Sequence, residues 1–594
     1  MEESNIKTNP FIYSTPDRIR DPQEATNLFV DVFKDFYLIE SPGNTFIHGA
    51  RGSGKSMMFR IMRPDCQKLK LAKKSIHNLN YYAIYIPIKD TSLNIQELNY
   101  LQEKKHIAYI LNEHLMCLYF SIAIFKCLAQ EEFDDSKDQF LQETKSFFDG
   151  AFNKLIRGSG FAGELNNSNE FKSSNDIFSY VVELLEGMLN DFSTYIQRLI
   201  LSIANLNYSG SLCLYRNFLL PLIKEITQMS ALPKEKPLYL LIDDADLLSS
   251  IQTQILNSWV SFRSTSIVCF KVSTQLNYKT YWTANSHNKI DSPHDYHEIN
   301  LSEIYTSNSR NRYRDNLKDI VERRLKFIAG LDVSAEKFFP ANEKQEIEYR
   351  ALFKKLEDEK GYDYAYRNAR LDYMLSLTNK YSYSYAGFDQ LVHLSSGIIR
   401  NFVDLSFKMF DKATREKPET NIQQIPVIIQ NQEIRTYSDW ILEQLDKSID
   451  DSELQPMQVN KYASLRTLID SIGKTFRMFL KSEASERRKF SFYYDGNVSQ
   501  EIKDVLQLGV SEGLLHYSKQ GSKTGLGRSH KYVINRILSP AYELDPFSFT
   551  GYLYLTPEKL ELAVKEQKKF LAYIEERIKK GDLETEQNQL ELEF

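Results

Sequence analysis

Eight residues, Gly49-Ala50-Arg51-Gly52-Ser53-Gly54-Lys55-Ser56, match the phosphate-binding pattern GxxxxGK[ST] at every fixed position. Each residue type has a chemical reason to be there. Glycines let backbone N–H groups curl around a phosphate, and a helix N-terminus behind them adds partial positive charge. Lys55 has the reach and charge for β- and γ-phosphates, and the Ser56 hydroxyl is a hard oxygen ligand for magnesium. A second group is acidic: Asp243-Asp244-Ala245-Asp246, directly after the apolar run Leu238-Tyr239-Leu240-Leu241-Ile242. A carboxylate at the end of such a run suits the hydrated magnesium of a bound nucleotide, which gives Asp243 that role.

The elements that must position these residues are legible around them. Residues 45–48 read as a short buried strand and 57–62 as the first turns of a helix. Strand, glycine-rich loop and helix is the setting that makes the pattern a binding site. Pro237 introduces residues 238–242, a run apolar enough for a central parallel strand buried on both faces. Residues 82–88 read as another strand, 266–272 as the next and 296–301 as a short last one. Ser273-Thr274-Gln275 follow the fourth of these, where a polar side chain could touch a γ-phosphate or an attacking water. Further on, Ser396-Gly397-Ile398-Ile399-Arg400 opens a helix running to about residue 410, and Arg400 is placed as a nucleotide-sensing charge.

Between the two phosphate motifs the pattern is helical from about residue 101 to 229, longer than a minimal nucleotide-binding core requires, and is read as an inserted subdomain. Its most apolar window, 115–125, is too short to span a bilayer and reads as a buried helix. The last third changes character. A long amphipathic helix (462–481) precedes a strand (489–494), a helix (499–513) and a glycine-tipped hairpin, the order of a winged helix. Lys519, Lys523, Arg528, Lys531 and Arg536 gather on that hairpin and its flanks, while the preceding helix carries Glu501, Lys503, Asp504 and Glu512. The wing is suited to phosphate contact and the helix is poorly suited to base readout, so duplex DNA and protein contact stay equally open as its use. Residues 557–580 read as one charged helix, and 584–594 as an acidic tail.

With 594 residues the chain should hold several domains, and 42% hydrophobic residues support real cores. A net charge of −5 excludes a protein-wide field for nucleic acid, so any such contact is a local patch. The five cysteines show neither CxxC spacing nor pairing with histidine, as expected of reduced thiols in the cytoplasm. The first residues, Met1-Glu2-Glu3-Ser4-Asn5, lack the pattern of a secretory signal, and no membrane partner is expected.

Taken together, these residues resemble AAA+ ATPases of the origin-recognition and initiator clade, particularly bacterial members. The resemblance covers most of the chain. It rests on Asn9-Pro10-Phe11, the loop at 49–56, Ile242-Asp243-Asp244-Ala245-Asp246, Ser396 to Arg400 and the C-terminal winged-helix order. It implies an α/β fold: a P-loop AAA+ core with a parallel sheet, a helical insertion, a helical lid and a winged helix. It implies ATP and Mg2+ as cofactors, Thr274 at sensor 1, Arg400 at sensor 2, and Phe11 lining the adenine pocket. Asp244 stands where such enzymes usually carry a glutamate that polarises the attacking water, and Thr274 where they usually carry an asparagine. Such enzymes usually hold an arginine finger between the sensor 1 strand and the next. From residue 276 to 299 this chain has no arginine, only Lys279 and Lys289, with Arg310, Arg312 and Arg314 further on. An in-trans arginine finger is worth ~10³–10⁵ in rate in related phosphoryl transfer, so slow turnover is expected. The Asp-Asp ending also resembles the signal-transducing STAND branch.

The domain boundaries expected are 1–100 and 231–310 for the two parts of the core, 101–230 for the insertion, 311–420 for the lid, 421–555 for the winged helix and 556–594 for the terminal helix and tail. Three uses follow: a switch that engages DNA or a DNA-bound protein, a STAND-like sensor in antiphage defence triggered through the insertion, or a nucleotide-binding scaffold. Nucleotide-dependent oligomerisation and a protein partner or effector accompany the first two.

Overall fold

The computed structural model describes residues 8–32, 36–91, 93, 98, 105–133, 139–201, 208–276, 278–284, 288–301, 310–377, 383–418, 422–450, 456–482, 489–521, 528–547 and 551–580. The chain forms two compact units. One holds Ile19–Gly49 and Lys55–Asn300, the other Met1–Arg18, Ala50–Gly54 and Leu301–Phe594.

The first unit is built on a five-stranded, wholly parallel sheet. Its strands are β1 (Thr45–His48), β2 (Tyr82–Pro87), β3 (Leu238–Asp243), β4 (Val268–Thr274) and β5 (His297–Asn300), in the order β2-β3-β4-β1-β5. β1, β3 and β4 are buried along their whole length, and in β3 the continuous apolar run Leu238–Ile242 accounts for it. Strand β4 runs two residues beyond the expected 272. Its ladder with β1 continues to the pair His48 and Thr274, so Ser273 and Thr274 are strand rather than loop. In the middle of β4, Lys271 is buried, and its ammonium donates to the Ser41 carbonyl at 2.7 Å and the Gly43 carbonyl at 2.8 Å. That ties down the turn entering β1. Burial pulls the Lys271 pKa down to about 8.

The insertion belongs to the same core. Helices Lys105–Ala129 and Ser174–Leu201 pack together, and the first also packs on β2. Phe120, Phe125, Phe178 and Trp259 join the sheet residues Ile84, Leu240 and Phe270 in one continuous apolar cluster. The apolar helix is longer than the window read from the sequence. His106–Ala129, mean hydropathy 1.5, is long and apolar enough to cross a membrane, but 67% of its most apolar stretch is buried inside the protein. Its apolarity on all sides is that of a helix surrounded by protein.

The second unit is helical up to a four-stranded sheet. It includes Arg310–Ala329, the hairpin Glu343–Lys360 and Tyr362–Ser376, then Phe388–Leu394, Ile399–Glu416, Val427–Asp450 and Pro456–Lys481. Then come β6 (Lys489–Tyr494), helix Gln500–Ser511, β7 (Leu515–Gly521), β8 (Arg528–Ile534) and β9 (Gly551–Tyr554), with sheet order β7-β8-β6-β9. β9 was not expected; it lies parallel to β6 and closes the sheet's far edge. The single helix expected over 557–580 is two, Pro557–Lys565 and Gln567–Lys580, separated where Glu566 leaves helical geometry (φ −136°, ψ 66°). The break lets Leu560 and Val564 on one side, and Phe570 and Ile574 on the other, all be buried, with both helices packed on Pro456–Lys481. The hairpin tip with Lys523 and the acidic tail lie outside the described residues.

Candidate functional site

Parallel strands all end on one side, so β1, β3 and β4 deliver their last residues to one edge, where open α/β sheets bind ligands. β1 ends in His48, β3 in Asp243 and β4 in Thr274. The loop begins by tying itself to that edge, the Gly49 N–H donating to the Thr274 carbonyl at 3.2 Å. Helix Lys55–Met62 follows the loop. Lys55 is only 6% exposed, and its ammonium donates to the Gly49 carbonyl at 2.7 Å, so the cation is folded over the loop it would serve. His48 faces the Glu298 carboxylate at 3.4 Å, and burial holds its pKa below the ordinary imidazole value against the pull of Glu298.

Within the loop, Gly52 and Gly54 have φ +82° and +106°, where a side chain is strained. At Gly52 the demand is also steric. A Cβ there would sit 2.4 Å from the Arg400 Cβ. The Arg400 backbone N–H donates to the Gly52 carbonyl at 3.1 Å. Arg400, second residue of helix Ile399–Glu416, is half-buried, and its Nε has no hydrogen-bond partner among the described residues. One turn on lies Asp404, whose carboxyl pKa is raised by burial against the opposing pull of Arg400, Lys408, Arg18 and Arg324. None of the last three was singled out from the sequence. They are spread over some 400 residues and meet only in the folded unit.

The turn before Arg400 holds Ser396 at φ +56° and Gly397 at φ +78°. The Ser396 hydroxyl accepts the Arg536 backbone N–H at 2.8 Å, just past β8. One turn therefore touches the phosphate loop at one end and the C-terminal sheet region at the other. Asn9-Pro10-Phe11 reaches the same helix: Asn9 Nδ2 donates to the Phe407 carbonyl at 3.0 Å, and Asn9 Oδ1 accepts the Phe11 N–H at 2.9 Å. Phe11 is wholly buried, its ring about 6 Å from those of Phe338 and Phe339.

At the acidic end Asp243 is 2% exposed and densely hydrogen-bonded. Its Oδ1 accepts the Ser273 hydroxyl and the Asp244 N–H (3.1 Å), and its Oδ2 accepts the Tyr85 phenol at 2.9 Å. Asp244 sits in the left-handed region (φ 55°, ψ 42°), which aspartate tolerates better than most residues. Ser273, not Thr274, meets the acidic motif. Successive strand residues face opposite sides, and the Thr274 hydroxyl is buried without a hydrogen-bond partner among the described residues. Tyr85 and Ser273 were missed because single-sequence reading has no access to strand register. Of the two lysines in 276–299, Lys279 donates to the Leu248 carbonyl and Lys289 lies over the Tyr281 ring at 5.7 Å. Arg314 is paired with Asp389 (2.6 Å) and Glu336 (3.2 Å), whereas Arg312 is exposed.

On the C-terminal sheet, Lys519 and Arg528 lie near the hairpin end, where Gly521 pairs with Arg528. Lys531 is half-buried, and burial, with Arg536 nearby, lowers its ammonium pKa. Arg536 is not a surface cation: it is 2% exposed and lies over the Phe490 ring at 5.2 Å. Packing beneath the sheet claimed the charge that composition assigned to the wing.

Among the described residues, no group of three or more His, Cys, Asp or Glu could hold a metal by itself. The hard oxygens of Asp243 and the Ser56 hydroxyl fit the other class of site, in which magnesium arrives with phosphate oxygens and water and needs few protein ligands.

A glycine loop between strand and helix, with carboxylates ending a parallel strand one place removed in the same sheet, defines the P-loop nucleotide-binding class. The ORC-CDC6-like family model matches residues 9–365 and 343–553, and the chain belongs to that family, an initiator-like group of AAA+ ATPases. No curated protein sequence matches it. Among solved structures it is similar to the Aeropyrum pernix ORC1 protein in complex with DNA, at 10% identity and TM-score 0.28, covering 90% of this chain and 96% of that one. It is also similar to the Aeropyrum pernix ORC2 protein in ADPNP–ADP complexes, at 8% identity and TM-score 0.31, covering 94% and 95%. Those scores are too low for either structure to serve as a template for this chain's site.

Proposed function

We propose that this chain is an ATP-dependent molecular switch that hydrolyses slowly and engages DNA, or a protein bound to DNA, through its C-terminal sheet region. The observation that carries the reading is the junction at Gly52, where the phosphate loop and the start of the Arg400 helix are hydrogen-bonded and too close for any side chain. Lys55 would exchange the Gly49 carbonyl for phosphate oxygens. Ser56 and Asp243 would hold magnesium, which supplies charge neutralisation on the phosphates. Asp244 would accept a hydrogen bond from the attacking water and orient it, and Thr274 remains the proposed sensor 1 residue. Arg400 would answer to the γ-phosphate, and Phe11 would contribute to the adenine side. The Ser396 bond to Arg536 gives that answer a physical route toward the C-terminal sheet. Slow turnover follows from the stretch 276–299, which has no arginine and whose Lys279 is already engaged.

Lys55→Ala should weaken binding of a fluorescent ATP analogue by ~100-fold or more, since the charge facing the β- and γ-phosphates is lost. Unchanged affinity would overturn the assignment. In the parent protein, hydrolysis stimulated by duplex DNA supports the switch on DNA. A second reading, a sensor ATPase of antiphage defence, is favoured by the size of the insertion, with helices of 25 and 28 residues. Stimulation by a phage or host protein and not by duplex would select it.

A further inference from the structure

Strand register explains how Asp243 acquires a third donor. β2 pairs with β3 so that Pro87 lies opposite Asp243 and Tyr85 opposite Leu241. Proline offers no side-chain donor to the carboxylate across from it. Tyr85 lies two residues back along β2, on the same face of the sheet, and a diagonal neighbour of this kind is within reach of a long aromatic side chain. Its phenol O–H closes that diagonal at 2.9 Å onto Asp243 Oδ2.

An ionised carboxylate offers about four acceptor positions. Ser273 and the Asp244 N–H occupy Oδ1, and Tyr85 takes a position on Oδ2. The phenol thereby decides which way the remaining acceptor capacity of Asp243 points. Tyr85 is itself braced, with the Arg63 guanidinium 3.8 Å from its ring centroid. Arg63 directly follows the helix that Lys55 begins, so one ring joins the far end of the phosphate-loop helix to the acidic strand end.

We infer that Tyr85 is a positioning residue for the metal-binding carboxylate, setting the orientation in which Asp243 meets the water shell of magnesium. The inference rests on the nucleotide-binding reading and adds to it a residue that acts on the metal step alone. Outer-shell donors of this kind orient a ligand without touching the metal, and losing one typically costs ~10–100-fold in metal affinity.

The test compares the parent, Tyr85→Phe and Lys55→Ala in the full chain, measuring affinity for a fluorescent ATP analogue in EDTA and again with magnesium, beside the melting temperature. Tyr85→Phe keeps the ring and the Arg63 stack and removes one O–H. It should bind the analogue in EDTA as the parent does and melt at the same temperature, yet show a gain in affinity on adding magnesium that is ~10-fold smaller. Ser273→Ala should reduce the same gain through Oδ1. Tyr85→Phe with the parent's full magnesium gain would overturn the inference, and so would equal losses with and without magnesium alongside a lower melting temperature. Lys55→Ala reports separately on the underlying reading, because it should lose affinity whether or not magnesium is present.

Discussion

In the parallel sheet, the motif residues reach a common edge because every strand points the same way, and there Asp243 is held by three donors from three different segments. In the sheet β7-β8-β6-β9, an antiparallel hairpin spreads polar residues along its length, and the stacked rings of Phe492 and Tyr532 and of Tyr494 and His530 occupy its body. There Arg536 is buried and Lys531 half-buried, so part of the positive charge serves the interior. A parallel sheet thus concentrates chemistry by topology, whereas on the mixed sheet each charge has to be assigned by its burial.

The greatest change is expected at the parallel sheet's edge. Asp244→Asn keeps the loop and Asp243 intact but removes the carboxylate proposed to orient water, and should slow single-turnover ATP hydrolysis by ~10²-fold or more. ATP affinity should stay at the parent value. Wild-type turnover in this variant would move the role to Asp246.

The next effect sits in the mixed sheet and concerns stability. His516 is buried in β7, and burial, with Arg536 nearby, lowers its pKa from 6.5 to about 4. The unfolded chain therefore takes up the proton first as pH falls. The contribution of the neutral imidazole is whole above pH 6.5 and is lost progressively toward pH 4, a loss of about 3 kcal/mol. His516→Phe should flatten that part of the acid limb in urea unfolding. A variant whose stability falls with pH as steeply as the parent's would show that His516 titrates normally.

A subtler effect divides the hairpin cations. Exchanging Lys519, Lys523 and Arg528 together for Glu should leave the melting temperature in place. It should also flatten the log–log salt dependence of duplex binding by ~0.9 for each phosphate left without its cation. Lys531→Glu should instead lower the melting temperature, because it places a shorter side chain with a carboxylate where packing now holds a partly desolvated ammonium. Equal behaviour of the two variants would erase the distinction between the sheets' charges.

Much of the local structure was legible. The strand expected at 489–494 is β6 residue for residue, and β1 spans the expected 45–48, because short apolar runs bounded by turn residues have little alternative. β9 was not legible: Gly551-Tyr552-Leu553-Tyr554 is too short to announce itself and is a strand only because β6 offers it an edge. The break at Glu566 was hidden for a related reason, since both helical halves carry the same periodicity and only the surface of Pro456–Lys481 forces them apart.

The phosphate loop, the acidic strand end and the order of elements could be read from the residues alone, since loop chemistry and apolar runs are local properties written in consecutive positions. Folding in three dimensions was needed to bring Ser273 rather than Thr274 to Asp243, to supply Tyr85 as the third donor, and to set Arg400 against Gly52. It was needed as well to take Arg536 into the interior. One cause is common to all four. Strand register and burial are set by pairing between segments tens to hundreds of residues apart, and a one-residue shift in that pairing turns each side chain to the opposite face.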